Sequence, residues 1–158
     1  NPINFYGQSK ALGEKMLQAN TAKFYLIRTA WLYGKSGKNF VETIIDSADK
    51  QEVIKVVNDQ FGNPTFTKDL AEATKTLIVD KKPFGIYHRT NEGTASWYEF
   101  ALKIKELTGF QATIEAVTSA AMPRPAKRPH FSKLINSKLP PLRHWQEAIK
   151  EYLSLYQK

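Results

Sequence analysis

Cysteine is absent from the 158 residues of this sequence. Its absence excludes a disulfide scaffold and any metal site that depends on thiolates, and it fits a reducing compartment. Long apolar runs are absent as well, since no stretch approaches the roughly 18 consecutive apolar residues that suggest a membrane-spanning helix. We therefore expect a cytoplasmic protein with no membrane partner.

Acidic residues are few, with 15 Asp and Glu against 23 Lys and Arg, which gives a net charge of +8. The basic residues are spread along the chain, so they indicate either a solvated surface or an anionic small-molecule ligand. Nucleic acid is not an expected partner, because no zinc finger, RNA-binding aromatic signature or basic-helix pattern occurs. His88, His130 and His144 do not have the spacing of metal ligands, and no metal is predicted.

Predicted helices and strands alternate along the chain, which is typical of a parallel α/β sheet. Helices are predicted over 5–20, 39–50, 67–80, 96–108 and 142–156, and strands over 23–34, 52–59, 85–93 and 113–119. Ligands of such sheets bind beyond the carboxyl ends of the strands, so the residues 29–31 that end the first long apolar run are the first place to expect a site.

Local signals indicate where three elements begin and end. Thr67 is predicted to be a helix N-cap, and Ser96 with Glu99 has the spacing of a capping box. Residues 121–134 contain three prolines and cannot form a regular helix.

Tyr6 and Lys10 are four residues apart in the first predicted helix and therefore share one of its faces. A lysine ammonium stabilises a phenolate, which a tyrosine needs in order to exchange protons at neutral pH. Such a pair suits the reduction of a carbonyl, in which Tyr6 protonates the oxygen while hydride reaches the carbon. An ordinary surface helix explains the two residues equally well, so the neighbouring residues must decide.

The neighbouring residues favour the catalytic interpretation. The stretch NPINFYGQSKALGEK resembles the active-site helix of the extended short-chain dehydrogenase/reductases, whose pattern is P-x-x-x-Y-G-x-S-K-x-x-G-E. The matching positions are Pro2, Tyr6, Gly7, Ser9, Lys10, Gly13 and Glu14. LIRTAWLYGKSGKNFVETI, VVNDQFGNPTFTKDLA, GIYHRTNEGTASWYEFA and RPAKRPHFSKLINSKL are similar in order and spacing to the dTDP-4-dehydrorhamnose reductase branch. The resemblance covers essentially the whole chain.

This resemblance implies a Rossmann-type reductase that uses NADPH or NADH to convert dTDP-4-dehydro-L-rhamnose to dTDP-L-rhamnose, a precursor of cell-surface polysaccharide. It implies that Tyr6 is the proton donor and that Lys10 supports it and binds the nicotinamide ribose. Arg28, Thr29 and Ala30 would lie beside the nicotinamide.

The resemblance also implies a set of substrate contacts. Trp31 offers a flat face to a deoxysugar, although a core position would explain this tryptophan as well. Asn39 and Gln60 are candidate polar contacts. Arg124 and Arg128 are candidates for the pyrophosphate, because a guanidinium suits phosphate oxygens.

The implied fold is the C-terminal part of a Rossmann-type parallel sheet with a small mixed α/β substrate-binding subdomain. Residues 1–158 would form one partial domain. Rossmann-type elements would lie within roughly 1–56 and 84–108, and the substrate-binding subdomain within roughly 57–83 and 109–158.

Two features of the family are missing from this sequence: the glycine-rich turn that holds the dinucleotide, and the catalytic serine or threonine that precedes the active-site helix. We therefore expect a chain that is inactive alone and that contacts the missing N-terminal half of the same fold, with a homodimer also allowed. A smaller departure is Phe131, which stands where the family often has asparagine.

The residues leave two alternatives open. One is a non-catalytic relative similar to the regulatory subunits of methionine adenosyltransferase, and the other is an epimerase or dehydratase that acts on nucleotide sugars. Retention of Tyr6 and Lys10 favours an enzyme without excluding the first alternative. The residues that would select between NADPH and NADH lie outside this sequence.

Overall fold

The structure is a computed structural model that describes residues 2–156 of the chain. Helices and strands alternate through this range, which confirms the predicted α/β class. The helices are α1 (Phe5–Asn20), α2 (Phe40–Ala48), α3 (Thr67–Val79), α4 (Trp97–Thr108) and α5 (Trp145–Tyr156). The strands are β1 (Tyr25–Arg28), β2 (Leu32–Tyr33), β3 (Val53–Val57), β4 (Phe61–Gly62), β5 (Thr65–Phe66), β6 (Gly85–His88), β7 (Ala95–Ser96) and β8 (Thr113–Val117).

The strands associate in pairs, and the pairs are mostly parallel. β1 lies parallel to β6, with Tyr25 opposite Gly85, and β3 lies parallel to β8, with Val53 opposite Thr113. The short strands pair as parallel β2–β5 and antiparallel β4–β7. The parallel arrangement expected from the alternating pattern is therefore confirmed. β3 lies almost entirely in the range predicted for the Rossmann-type elements, and β8 lies in the range predicted for the substrate-binding subdomain. The boundary between these two parts stays a prediction.

The long apolar run that predicts one strand over 23–34 forms two strands, β1 and β2. Trp31 separates them because its backbone has a positive φ of 48°. This left-handed conformation interrupts the extended backbone that a β ladder requires, and it costs a non-glycine residue roughly 1–2 kcal/mol. The polypeptide therefore changes direction at the end of β1, where a ligand site was expected.

The core lies between the β3–β8 pair, α2, α4 and α5, and aromatic side chains fill its centre. Tyr33 is 1% exposed, and its ring centroid lies 5.7 Å from that of Phe66, 5.5 Å from Phe100 and 5.3 Å from Tyr152. Burial raises the pKa of the Tyr33 hydroxyl far above its ordinary value, so this side chain stays neutral. Stacked, tilted and edge-on aromatic pairs of this kind stabilise a core beyond the area that they bury.

Of the two N-terminal caps predicted for α3 and α4, the first is wrong and the second is confirmed. The capping box of Ser96 and Glu99 is present, and α4 ends at Gly109 with a φ of 74°. Thr67, however, is not an N-cap, because Phe66 occupies that position without a side-chain cap. The Phe66 amide donates instead to the Asn91 side chain at 2.9 Å, which keeps the chain extended up to the first helical residue.

An ion-pair network joins the two helices α3 and α5. Arg143 precedes α5, and its Nε and Nη2 donate to the two carboxylate oxygens of Asp69 in α3 at 2.9 and 2.7 Å. Its Nη1 donates to Glu151, which also accepts from Lys68 at 2.6 Å. Asn91 donates to Asp69 at 2.6 Å. Because Asp69 is only 8% exposed, its charge depends on these partners.

Substitution of Arg143 by methionine is expected to lower the free energy of unfolding by about 3 kcal/mol, because Asp69 then stays buried without its cation. Urea unfolding followed by circular dichroism measures the loss. Lys103→Met is the matched control, since it breaks an exposed pair with Glu106 that contributes at most about 1 kcal/mol. Equal losses in the two variants would contradict the structural role of Arg143.

Candidate active site

A cavity of about 920 Å³ opens between α2, β3, α4 and the proline-rich segment, residues 121–134. Its volume is within the range of sites that hold drug-sized ligands. All five residues that the sequence predicts as substrate contacts line it: Trp31, Asn39, Gln60, Arg124 and Arg128. These residues are up to 97 positions apart in the sequence, so the fold brings them together, while their roles in binding stay predictions.

The charged side chains that line the cavity in the described range are all basic. Four basic side chains line it, from Lys38, Lys55, Arg124 and Arg128, and none of the lining residues in the described range is acidic. Arg124 and Arg128 are exposed and make no hydrogen bond or ion pair within residues 2–156. Exposed guanidinium groups without a carboxylate partner are suited to a diphosphate.

Trp31 forms an aromatic wall of the cavity together with Trp97. The two rings stack with centroids 3.6 Å apart and planes 8° from parallel, and the Trp31 Nε1 donates to the Ser132 hydroxyl at 3.1 Å. One face and the N–H of Trp31 are thus engaged within the protein. Trp31 is half-buried and also lines the cavity. It therefore packs against other side chains and also faces the space where a ligand would bind, which are the two positions that the sequence left open.

Gly62 is required by the position of Trp31. A Cβ atom at Gly62 would lie 2.5 Å from Cε2 of Trp31 and 2.8 Å from the Ser132 hydroxyl oxygen. Both distances are shorter than any normal contact, so the indole can occupy its place only beside glycine.

The two predicted amide contacts are already hydrogen-bonded within the protein. Asn39 caps α2, accepting from the Glu42 amide at 3.2 Å and donating to the Gly34 carbonyl at 3.0 Å. Gln60 donates to the Ser119 hydroxyl at 2.8 Å. Both amides therefore shape the wall of the cavity.

Tyr6 and Lys10 share one face of α1, as their spacing predicts, but they do not line the cavity. The Lys10 ammonium lies 5.4 Å from the centroid of the Tyr6 ring, and Tyr6 is 71% exposed. None of the α1 side chains is buried. The catalytic role of the pair stays a prediction.

The three residues predicted to lie beside the nicotinamide differ in their environments. Arg28 donates to both carboxylate oxygens of Glu14 at 2.9 and 2.5 Å, which raises the pKa of Arg28 and lowers the pKa of Glu14. Arg28 thereby ties α1 to β1. Thr29 has a buried hydroxyl without a hydrogen-bond partner in the described range, while Ala30 is half-buried. Of the three, Thr29 is the one with an unsatisfied polar group at the end of β1.

His88 completes the contacts of Arg28. Because a guanidinium only donates, the His88 Nε2 accepts from Arg28 at 3.4 Å, and its Nδ1–H donates to the Ile135 carbonyl at 3.2 Å. No chemistry is predicted for His88 from the sequence, and in the fold its ring links β6 to the segment that follows residue 134.

Two basic residues of the cavity and one aromatic contact were not predicted from the sequence. Lys55 alternates along β3 with the buried Ile54 and Val56, so the period of two could have indicated that it points away from the core. Lys38 gave no signal beyond its place in a glycine-rich loop. Phe131, the departure from the family pattern, stacks on Phe61 with centroids 5.4 Å apart.

Residues 2–156 meet neither the requirements of a metal-binding cluster nor those of a membrane-spanning helix. No group of three or more His, Asp or Glu side chains there could hold a metal ion. No helix in the same range combines the length and the apolarity that crossing a bilayer requires.

Comparison with known proteins gives a consistent set of relatives. The family described as the RmlD substrate binding domain matches residues 1–158. The spore coat polysaccharide biosynthesis protein SpsK of Bacillus subtilis is 43% identical over 157 residues, which cover 97% of this chain and 55% of that protein.

Two solved dTDP-4-dehydrorhamnose reductases share the fold. The Clostridium acetobutylicum structure is 43% identical with a TM-score of 0.95, over 100% of this chain and 57% of that one. The Bacillus anthracis structure, in complex with NADP, is 34% identical with a TM-score of 0.93, over 99% and 57%. The chain thus spans about half the length of the relatives that it matches.

The substitution Gly62→Ala is expected to displace the Trp31 indole, because the added methyl group would overlap it. Near-ultraviolet circular dichroism measures the result as loss of the signal from the stacked Trp31–Trp97 pair. Gly13→Ala is the control: no atom lies within 4 Å of the added Cβ, so the spectrum should not change. An unchanged spectrum in Gly62→Ala would contradict the close contact.

Proposed function

Because the chain belongs to the RmlD substrate binding domain family, we propose that it is the substrate-binding part of an NADPH-dependent reductase that converts dTDP-4-dehydro-L-rhamnose to dTDP-L-rhamnose. The observation that carries this proposal is the cavity, in which a stacked tryptophan pair and two unpaired arginines face the same space. The cavity offers no specific support for the regulatory relative or for the epimerase and dehydratase alternatives.

The substrate would be held by two kinds of contact. Arg124 and Arg128 bind the diphosphate, since bidentate guanidinium contacts match phosphate oxygens. Trp31 lies against the apolar ring carbons of the deoxysugar. Asn39 and Gln60 keep the wall in place through their own hydrogen bonds.

The relative solved with NADP supports NADPH as the cofactor. The residues of this chain fit such a group, because the buried hydroxyl of Thr29 at the carboxyl end of β1 has no hydrogen-bond partner among residues 2–156. Thr29 and Lys10 would hold the nicotinamide end, with Arg28 and Ala30 beside it. The bound cofactor supplies the hydride that reduces the C4 carbon.

Tyr6 supplies the proton in this proposal. Its hydroxyl protonates the C4 oxygen as the carbonyl becomes an alcohol, and it is left as a phenolate. The ammonium of Lys10, which lies on the same face of α1, stabilises that negative charge because opposite charges attract.

The chain would work together with the part of the family fold that it does not match. α1 exposes apolar side chains, including Phe5 at 87% and Leu12 at 59%, and β1 pairs only with β6 in the part of the chain that the structure describes. We propose that a dinucleotide-binding half of the same fold covers α1 and extends this sheet. A cytoplasmic location and a homodimer remain parts of the proposal.

Tyr6→Phe is expected to lower the turnover of the intact enzyme by about 10²–10⁴-fold, since it removes only the proton donor. Loss of NADPH absorbance with dTDP-4-dehydro-L-rhamnose measures the rate. Tyr98→Phe is the matched control, because Tyr98 lies on α4 and does not line the cavity. Turnover of Tyr6→Phe close to that of Tyr98→Phe would refute the role of Tyr6.

Arg128→Gln is expected to raise the KM for the sugar nucleotide by about tenfold or more, because a charged hydrogen bond to the diphosphate is lost. The KM for NADPH should stay unchanged. Lys133→Gln removes the same charge from the same segment but outside the cavity, and should leave both constants unchanged. Equal effects of the two substitutions would indicate that only the overall charge matters.

A further inference from the structure

The side chain of Asn4 makes one local hydrogen bond and one hydrogen bond to a distant part of the chain. Its Oδ1 accepts from the Gly7 amide at 2.8 Å, which makes Asn4 the N-cap of α1. Its Nδ2 donates to the carbonyl oxygen of Lys127 at 2.8 Å, a residue 123 positions away. The same amide thus begins the helix that carries Tyr6 and Lys10 and binds the proline-rich segment.

The two halves of the proline-rich segment are held differently. The second half pairs with β4: the Phe61 amide donates to the His130 carbonyl, and the Ser132 and Leu134 amides donate to Phe61 and Asn63. The first half, residues 123–129, has only the bond from Asn4 to Lys127 within the described chain. Three prolines there also lack an amide N–H to donate.

Both arginines of the cavity lie in this weakly held half. Arg124 is three residues before Lys127, and Arg128 is the residue after it. The hydrogen bond from Asn4 is therefore the contact that limits how far these two guanidinium groups can move from the cavity.

We propose that Asn4 is a positioning residue that couples the helix carrying the proton donor to the segment carrying the diphosphate-binding arginines. The inference rests on the proposed function for what the two groups bind. Asn4 touches neither substrate nor cofactor in this account. It holds Arg124 and Arg128 over the cavity only while the first turn of α1 is in place.

Three substitutions separate this role from simple helix capping. Asn4→Asp and Asn4→Ser keep an oxygen that caps α1, since Asp and Ser are N-caps comparable to Asn. Neither keeps the N–H that reaches Lys127. Asn4→Ala loses both functions and should also lower the melting temperature. A residue that only caps the helix would tolerate the first two changes.

Limited trypsin digestion of the intact protein measures the anchoring directly. Arg124 and Arg128 are each followed by proline and resist trypsin, so the Lys127–Arg128 bond is the cleavable one within 123–132. The carbonyl of that bond is the one that Asn4 holds. Cleavage there should become about 5–10-fold faster in Asn4→Asp and Asn4→Ser, as expected for loss of one hydrogen bond.

Cleavage at Lys133–Leu134 is the internal control. The Leu134 amide is held by Asn63 at 2.7 Å, a contact that does not involve Asn4, so its rate should not change. Unchanged cleavage at Lys127 in both capping variants would overturn the proposal.

Kinetics of the same variants test the consequence for binding. Asn4→Ser should raise the KM for the sugar nucleotide by about 5–10-fold and leave the KM for NADPH unchanged. Faster cleavage at Lys127 with an unchanged sugar-nucleotide KM would overturn the coupling to the cavity. A wild-type enzyme without turnover would refute the proposed function, while the trypsin result would still decide whether Asn4 holds the segment.

Discussion

The bidentate ion pair between Arg143 and Asp69 joins the start of the last helix to α3. Asp69 is near the start of α3, Asn91 follows β6, and Arg143 precedes α5, so three distant parts of the chain meet at one carboxylate. A forked guanidinium on a carboxylate has one geometry, so this pair adds a directional contact to the close packing of the apolar side chains of α5 in the core. Trp145 then packs edge-on against Phe100, whose ring also lines the cavity.

A second constraint is the backbone conformation of Trp31, which lowers local stability and forms part of the cavity wall. The left-handed backbone costs energy that an extended residue would not. The stack on Trp97 and the hydrogen bond to Ser132 offset that cost, and Gly62 leaves the space that the indole needs. Strained residues that several contacts hold in place tend to occur at functional sites. The break between β1 and β2 is thus part of the cavity and not a defect of the sheet.

The sequence predicted what depends on local pattern, and it missed what depends on tertiary contacts. The bounds of α1 and the Ser96 capping box follow from neighbouring residues, and both were predicted correctly. The family resemblance identified five residues that line one cavity. The split of the first strand, the failure of Thr67 as a cap and the Asn4–Lys127 bond were not predictable, because each depends on residues that are far apart in the sequence.

Ion pairs elsewhere in the fold engage several acidic residues, whereas the described lining of the cavity includes four basic side chains and no acidic one. Several carboxylates are engaged elsewhere: Glu14 with Arg28, Asp69 with Arg143, and Glu151 with Arg143 and Lys68. The pairs of Asp69 and Glu151 join α3 to α5 and to the residue that precedes it, and the pair of Glu14 joins α1 to β1. None of the described residues that line the cavity is acidic. The positive potential over the cavity is therefore not cancelled locally, and it attracts anions over about a Debye length. Attraction by the arginines weakens with salt, whereas contact with the Trp31 ring does not. Under the proposed function, a sugar nucleotide would supply both the phosphate for the arginines and the sugar ring for Trp31.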